Sequence, residues 1–152
     1  MKKIWSLAVV AFVFLLAGCG AKQEEKTMTC TRTATQSNMN INLNYEVKYK
    51  GNYVTSVKST EKIVSEDTSM LEQYKTMVEQ TYSPYKDVKY YEYNVSVDGN
   101  TLTSIAEIDY EKIDTDKMIE IDSANSQLIK DGKISVDDIE SLYNSVGATC
   151  KK

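Results

Sequence analysis

Met39-Asn40-Ile41-Asn42-Leu43-Asn44-Tyr45-Glu46-Val47-Lys48-Tyr49 is apolar or aromatic at every odd position and polar at every even one. Successive side chains of a strand point to opposite faces. A strict period of two is therefore the pattern of an antiparallel strand with one face on a core and the other in water. Gly51-Asn52 follows as a two-residue hairpin turn with glycine at its first central position. Tyr53 to Ile63 is the return strand, with Tyr53, Val57 and Ile63 on one face and a polar middle that reads as less buried. On the N-terminal side, Met28 to Thr35 is threonine-rich and β-prone and reads as a first strand.

Towards the C-terminus the period changes. Ser69 with Glu72 three residues on reads as a capping box, and Met70, Leu71, Tyr74, Met77, Val78 and Tyr82 recur at helical spacing. Pro84 disfavours helical geometry at Ser83, so the helix is expected to end there. Val88 to Val97 is a second β region with Tyr91, Tyr93, Val95 and Val97 inward. Val88 and Tyr90 are out of phase with that set, which predicts a bulge at Tyr90–Tyr91. Asp98-Gly99 predicts a type I′ turn, and Leu102, Ala106, Ile108 and Tyr110 alternate on the partner strand. Asp114 or Thr115 caps a short helix through Met118 and Ile121. Ser135 caps the last helix, with Ile139, Leu142, Tyr143 and Val146 as its buried stripe and Gly147 as terminator. Hairpins dominate this order, so the fold class is α+β: an antiparallel sheet with helices on one face, in a single domain over 28–152.

The first 19 residues have a different character. Lys2 and Lys3 precede an apolar run, Ile4 to Leu16, broken only by Ser6. Its length fits a signal-peptide core and falls short of the roughly 20 residues of a permanent membrane helix. It ends in Leu16-Ala17-Gly18-Cys19, the lipobox pattern of bacterial lipoproteins. That implies cleavage between Gly18 and Cys19 and a diacylglyceryl thioether on Cys19. Two acyl chains (palmitate or similar) suffice for stable anchoring. Gly20 to Thr27 is small and charged and reads as a tether, so the expected division is leader 1–18, lipidated cysteine and tether 19–27, then the domain.

The remaining cysteines are Cys30 and Cys150. Outside the cytoplasm they are expected to pair, closing a loop worth about 4.7 kcal/mol or somewhat more in the chain-entropy model. The lack of a Cys-x-x-Cys speaks against a redox role.

The net charge is −4 over 152 residues. Lys2 and Lys3 are the only charges in the leader, so the chain from Cys19 onward stands at −6 (−4 less those two lysines). With Arg32 the lone arginine, this composition argues against nucleic acid. It also argues against a basic membrane-binding surface, leaving the lipid as the attachment. There is no histidine, which removes the commonest general base and metal ligand. Asp131-Gly132-Lys133-Ile134-Ser135-Val136-Asp137-Asp138 looks like half an EF-hand loop. Gln127 and Ile129 at the first and third ligand positions and Asp138 at the twelfth do not suit calcium, so no metal or cofactor is expected. The pairs Asp114/Asp116 and Asp137/Asp138 sit at helix starts, where acids stabilise the dipole, and are not read as catalytic. No nucleophile elbow or phosphate loop is present. Tyrosine is enriched at 11, densest in Lys89-Tyr90-Tyr91-Glu92-Tyr93. Tyr90, Tyr91 and Tyr93 are candidates for a binding surface if outward, and core filling otherwise.

With the lipobox, the short tether, the hairpin–helix–hairpin order and Ile108-Asp109-Tyr110-Glu111-Lys112-Ile113-Asp114 in view, the chain resembles the YehR-like lipoproteins. These are small bacterial lipoproteins with no assigned activity. The resemblance implies an α+β fold and a non-enzymatic envelope role, and it supplies no functional residues. The Cys30–Cys150 pairing rests on the residues alone.

The expectation is therefore a membrane-anchored, non-catalytic binding or interaction module of the cell envelope. Its partner would be an envelope protein, a wall component or a small solute. The alternative is a structural or stress-related lipoprotein with no small ligand. Lysine and asparagine richness points to the outer leaflet of a Gram-positive plasma membrane. A buried carboxylate or lysine in a cleft would instead speak for catalysis.

Overall fold

Strands β1 (Glu25–Gln36), β2 (Met39–Lys50) and β3 (Tyr53–Ser65) form an antiparallel meander of long hairpins. The computed structural model describes residues 23–36 and 38–152; the leader, Gly18, Cys19 and the first part of the tether lie outside the described residues. Helix α1 (Thr68–Tyr82) and a 3-10 turn (Ser83–Tyr85) lead to the hairpin of β4 (Tyr91–Asp98) and β5 (Thr101–Asp109). Then come α2 (Thr115–Ile121), a 3-10 segment (Ser123–Gln127), the two-residue strands β6 (Ile129–Lys130) and β7 (Lys133–Ile134), α3 (Val136–Ser145) and β8 (Thr149–Lys151). The main sheet has six strands in the order β4-β5-β3-β2-β1-β8, and its pairs are antiparallel. The fold is α+β, as the alternation and hairpin signals predict.

The helices lie over one face and bury two apolar clusters. The larger holds Met28, Val47, Val57, Met118, Ile134, Ile139 and Tyr143, between the sheet and α2–α3. The smaller holds Ile63, Leu71 and Leu102 beneath α1, with Ile41, Tyr74, Val95 and Val97 around it. Fully burying a side chain such as Leu71 or Ile63 contributes about 1.5–3 kcal/mol.

Several local expectations shift. The first strand begins at Glu25, so Glu25 to Thr27, read as tether, belong to the sheet. Tyr53 leaves the core face: β2 and β3 lose register beside Lys48 and Tyr49, with Thr55 left without a partner there. This bulge reverses the alternation, so Val54 turns inward opposite Tyr49 and Tyr53 becomes half exposed. No bulge forms at Tyr90–Tyr91. Strand β4 simply starts at Tyr91, preceded by Tyr90 in the left-handed region at φ 68°. The β4–β5 turn is Gly99-Asn100, one residue beyond the expected Asp98-Gly99, because Asp98 pairs with Thr101. Gly99 takes φ 57° while Asn100 stays outside the left-handed region, so the expected type I′ turn, which needs positive φ at both central residues, does not form.

The caps also differ in part. The N-cap of α1 is Asp67, not Ser69: its carboxylate accepts from the backbone N–H groups of Ser69 (3.0 Å) and Met70 (3.2 Å), and from the Ser69 hydroxyl. Asp114 caps α2 and Ser135 caps α3 as expected. Ala148 N–H donates to Tyr143 C=O and Gly147 N–H to Asn144 C=O, a Schellman closure with Gly147 at φ 86°. Leu142 and Val146, expected in the stripe of α3, are exposed. The closure turns the chain straight into β8, a strand not foreseen.

Candidate functional site

Strand β8 brings Cys150 opposite Cys30 on β1, and the two form a disulfide across a sequence separation of 120. The expected bond therefore clips the C-terminus to the sheet edge. The Asp131–Asp138 segment spans the turn and second strand of a small hairpin and then the start of α3. Asp131 and Gly132 both have positive φ in its turn, and Asp137 and Asp138 lie in the first turn of α3. Asp116 likewise falls in the first turn of α2 behind the Asp114 cap.

The tyrosine-rich strand divides by face. Tyr90 is about half exposed, with the Lys112 ammonium 5.5 Å above its ring. Tyr91 and Tyr93 point to the helix-covered face. Tyr91 stacks on Tyr85 at 4.8 Å, and Tyr82 lies 5.4 Å from Tyr93 and 6.3 Å from Tyr91. The three tyrosines do not share a surface.

What they border is more informative. Pairing registers place Arg32, Leu43, Glu61, Ser104 and Val95 in one row across five strands, on the same face as the core. This row crosses the boundary between the two apolar clusters, and neither cluster includes Arg32, Glu61 or Ser104. The next row holds Cys30, Tyr45, Ser59, Ala106 and Tyr93. Helix α1 overlies the row from one side and contributes Tyr74, whose hydroxyl donates to Glu61 Oε1 at 3.1 Å. It also contributes Tyr82, whose hydroxyl sits beside those of Ser104 and Ser59. From the other side α3 contributes Tyr143, stacked on Tyr45 with ring centroids 4.0 Å apart. The Arg32 side chain lies against Gly147, just past the carbonyl end of α3, where a cation suits the helix dipole.

The result is a half-buried seam with a single carboxylate ringed by Tyr45, Tyr74 and Tyr82. Glu61 forms no salt bridge among the described residues. Burial raises its carboxyl above the ordinary value of 4.5, and the Tyr74 hydrogen bond offsets this only in part. Burial, and then the nearby Glu61 charge, push the Tyr74 phenol up to about 12. Tyr45 is raised for the same two reasons, while Arg32 lowers it slightly. When ionised, the Glu61 carboxylate attracts positive charge, and the tyrosines beside it are residues able to receive a cation.

Sequence reading missed Glu61, though its signal was present. The parity set by Val57 and Ile63 puts Ser59 and Glu61 on the inner face. A polar pair in register with core residues marks a site more than it marks shallow burial.

The opposite face of the sheet carries no helix among the described residues. Threonines 29, 31, 33 and 35 on β1 run beside Asn40, Asn42 and Asn44 on β2, all exposed. Thr33 donates to Asn42 at 3.1 Å and Thr35 to Asn40 at 3.0 Å. Thr31, Thr33, Asn42, Asn44, Thr60 and Lys62, together with Arg32 and Leu43 of the seam row, line a hollow of about 390 Å³.

These features define a small α+β domain: a six-stranded antiparallel sheet, helices on one face, and a tyrosine-lined seam beneath them. Residues 28–148 match the family model described as a protein of unknown function, DUF1307, and the chain belongs to that family. The NMR structure of the Escherichia coli YehR protein is similar, with a TM-score of 0.58, 20% identity, and 86% of this chain and 93% of that chain covered. The YehR-like resemblance read in the sequence thus agrees with both family and fold. An NMR structure of a protein from Streptococcus pneumoniae TIGR4 is also similar, with a TM-score of 0.53, 13% identity and 99% of each chain covered. At these identities the likeness concerns the fold. No curated protein matches the chain.

Proposed function

We propose that this chain is a lipid-anchored, non-catalytic binding module on the outer side of a bacterial membrane, and that it takes its ligand at the Glu61 seam. The observation that carries the reading is a half-buried carboxylate without a cationic partner among the described residues, set between two apolar clusters and lined by tyrosines. A side chain kept only for packing would be apolar there and would fuse the clusters.

The absence of histidine from the sequence and the lone carboxylate favour binding over hydrolysis. Two-carboxylate chemistry needs a second acid at a set separation, and the charged neighbour across the row is Arg32. The location rests on the Cys19 lipobox and is supported by the disulfide, a bond that persists in oxidising compartments. Strand β1 starts at Glu25, so five residues separate it from Cys19 and reach at most about 18 Å. The module would sit close to the bilayer, in the Gram-positive setting on the outer leaflet of the plasma membrane.

Two measurements test this. Growth with a clickable palmitate analogue should label the wild-type chain and not Cys19→Ala; equal labelling of both refutes the anchor. A thermal-shift screen of the oxidised protein against sugars, wall fragments, peptides and amines should find a ligand whose shift disappears in Glu61→Gln. A ligand shift indifferent to that change moves the site elsewhere.

A second reading, a structural lipoprotein that contacts envelope proteins without a small ligand, is favoured by the exposed threonine–asparagine face. Crosslinking on intact cells from residues 33 and 42 would then capture a defined protein, and no screened compound would act through Glu61.

A further inference from the structure

Three features of the seam bear on the chemistry of what it holds. The first is sign. Glu61 is the acid of the row, and Arg32, two strands away and so about 10 Å off, lies beside Gly147 at the end of α3. The second is the wall. Tyr74 and Tyr82 descend from α1, eight residues apart on one helix face, and Tyr45 rises from the adjacent row of the sheet, held by its stack on Tyr143. The third is water. Glu61, Tyr45, Tyr74 and Tyr82 are each only partly buried, so none of them is sealed from solvent. The Tyr82 hydroxyl lies near those of Ser59 and Ser104.

We propose that the Glu61 seam binds an organic cation, a primary or quaternary ammonium, with the Glu61 carboxylate facing the charge and the Tyr45, Tyr74 and Tyr82 rings around its alkyl groups. A carboxylate supplies the charge, and aromatic walls accept an alkylammonium better than a hydrated metal ion, because the alkyl groups tolerate the loss of water. An anion would meet repulsion from Glu61. A neutral sugar would leave the carboxylate unmatched. The proposal rests on the reading that the seam is the binding site, and names the class of its ligand.

The groups facing Glu61 are Tyr74 and Tyr82 from α1, Tyr45 from β2, Ser104 from β5 and, further off, Arg32 from β1. Of these none is expected to titrate between pH 4 and 8, so Glu61 governs the pH response. Cation binding should strengthen as the pH rises through its raised pKa.

The test is an NMR titration of the full chain in maltoside micelles, oxidised and carrying ring-labelled tyrosine. Tetramethylammonium chloride is the probe, and sodium chloride is the ionic-strength control. Expected are saturable shifts of the Tyr45, Tyr74 and Tyr82 rings with a dissociation constant in the millimolar range, reasonable for a five-heavy-atom ligand. Glu61→Gln, which keeps shape and the Tyr74 hydrogen bond, should weaken binding about ten-fold or more. Arg32→Gln should leave binding unchanged or tighter. Ring shifts no larger than those of sodium chloride, or equal binding by Glu61→Gln, overturn the proposal. Sodium acetate and glucose run in parallel separate the two levels: if either moves the seam rings while tetramethylammonium does not, the ligand class is wrong and the binding site stands. If none of the three moves them, both fall.

Discussion

Glu61 occupies a position where the surrounding physics favours an apolar residue, and that tension governs what its substitution does. Burial raises its carboxyl pKa, while the hydrogen bond from Tyr74 opposes the rise. Removing that hydroxyl in Tyr74→Phe leaves burial unopposed. The Glu61 titration, followed by carboxyl-carbon NMR, should then move to still higher pH; a move to lower pH would show that the phenol acts chiefly by other means. The tyrosines themselves were legible as inward or outward from alternation, and Tyr91 and Tyr93 fall on the predicted face. Their destination was not legible. Which rows of the sheet a helix leaves uncovered depends on where α1 and α3 land, and no local pattern encodes that. Tyr90 shows a related limit: its left-handed backbone breaks the alternation and turns it to solvent, where its period alone suggested a bulge.

At the scale of elements, the caps decide the boundaries, and a cap is a competition between neighbours. Ser69 with Glu72 matches the capping-box pattern, yet Asp67 takes both exposed N–H groups because Ser65 first receives its own N–H at 3.1 Å and fixes its position. Asp67→Ala should therefore destabilise by about 1 kcal/mol, a normal value for loss of an N-cap, while Glu72→Ala has little effect on the melting temperature. The reverse ranking would restore the capping box. Long strands and their order were readable because each buries one face and must alternate. The bulge at Thr55 was not, since one unpaired residue reverses parity without altering composition. Strand β8 has three residues and makes sense only once the Schellman turn at Gly147 has aimed the chain at β1.

For the whole molecule, the disulfide and the seam pull stability in opposite directions. The Cys30–Cys150 bond closes a loop across a separation of 120, worth about 5 kcal/mol in the chain-entropy model. The double variant Cys30→Ser/Cys150→Ser should melt on the order of 15 °C lower, and a loss of under about 3 °C would show that β8 holds without it. The sign of the seam's contribution comes from the raised pKa. The folded chain holds the Glu61 proton where the unfolded chain has lost it, so the penalty is present above the raised value and disappears as the pH falls below the ordinary carboxylate range. The decisive measurement is the melting temperature of the wild type and of Glu61→Gln, without ligand, from pH 4 to pH 8. If Glu61 is retained for binding, the variant melts at the same temperature or higher at pH 7, and the difference narrows towards pH 4. A variant that melts clearly lower at pH 7 would make Glu61 a structural tie between α1 and the sheet, and would contradict the assignment of the seam as the functional site.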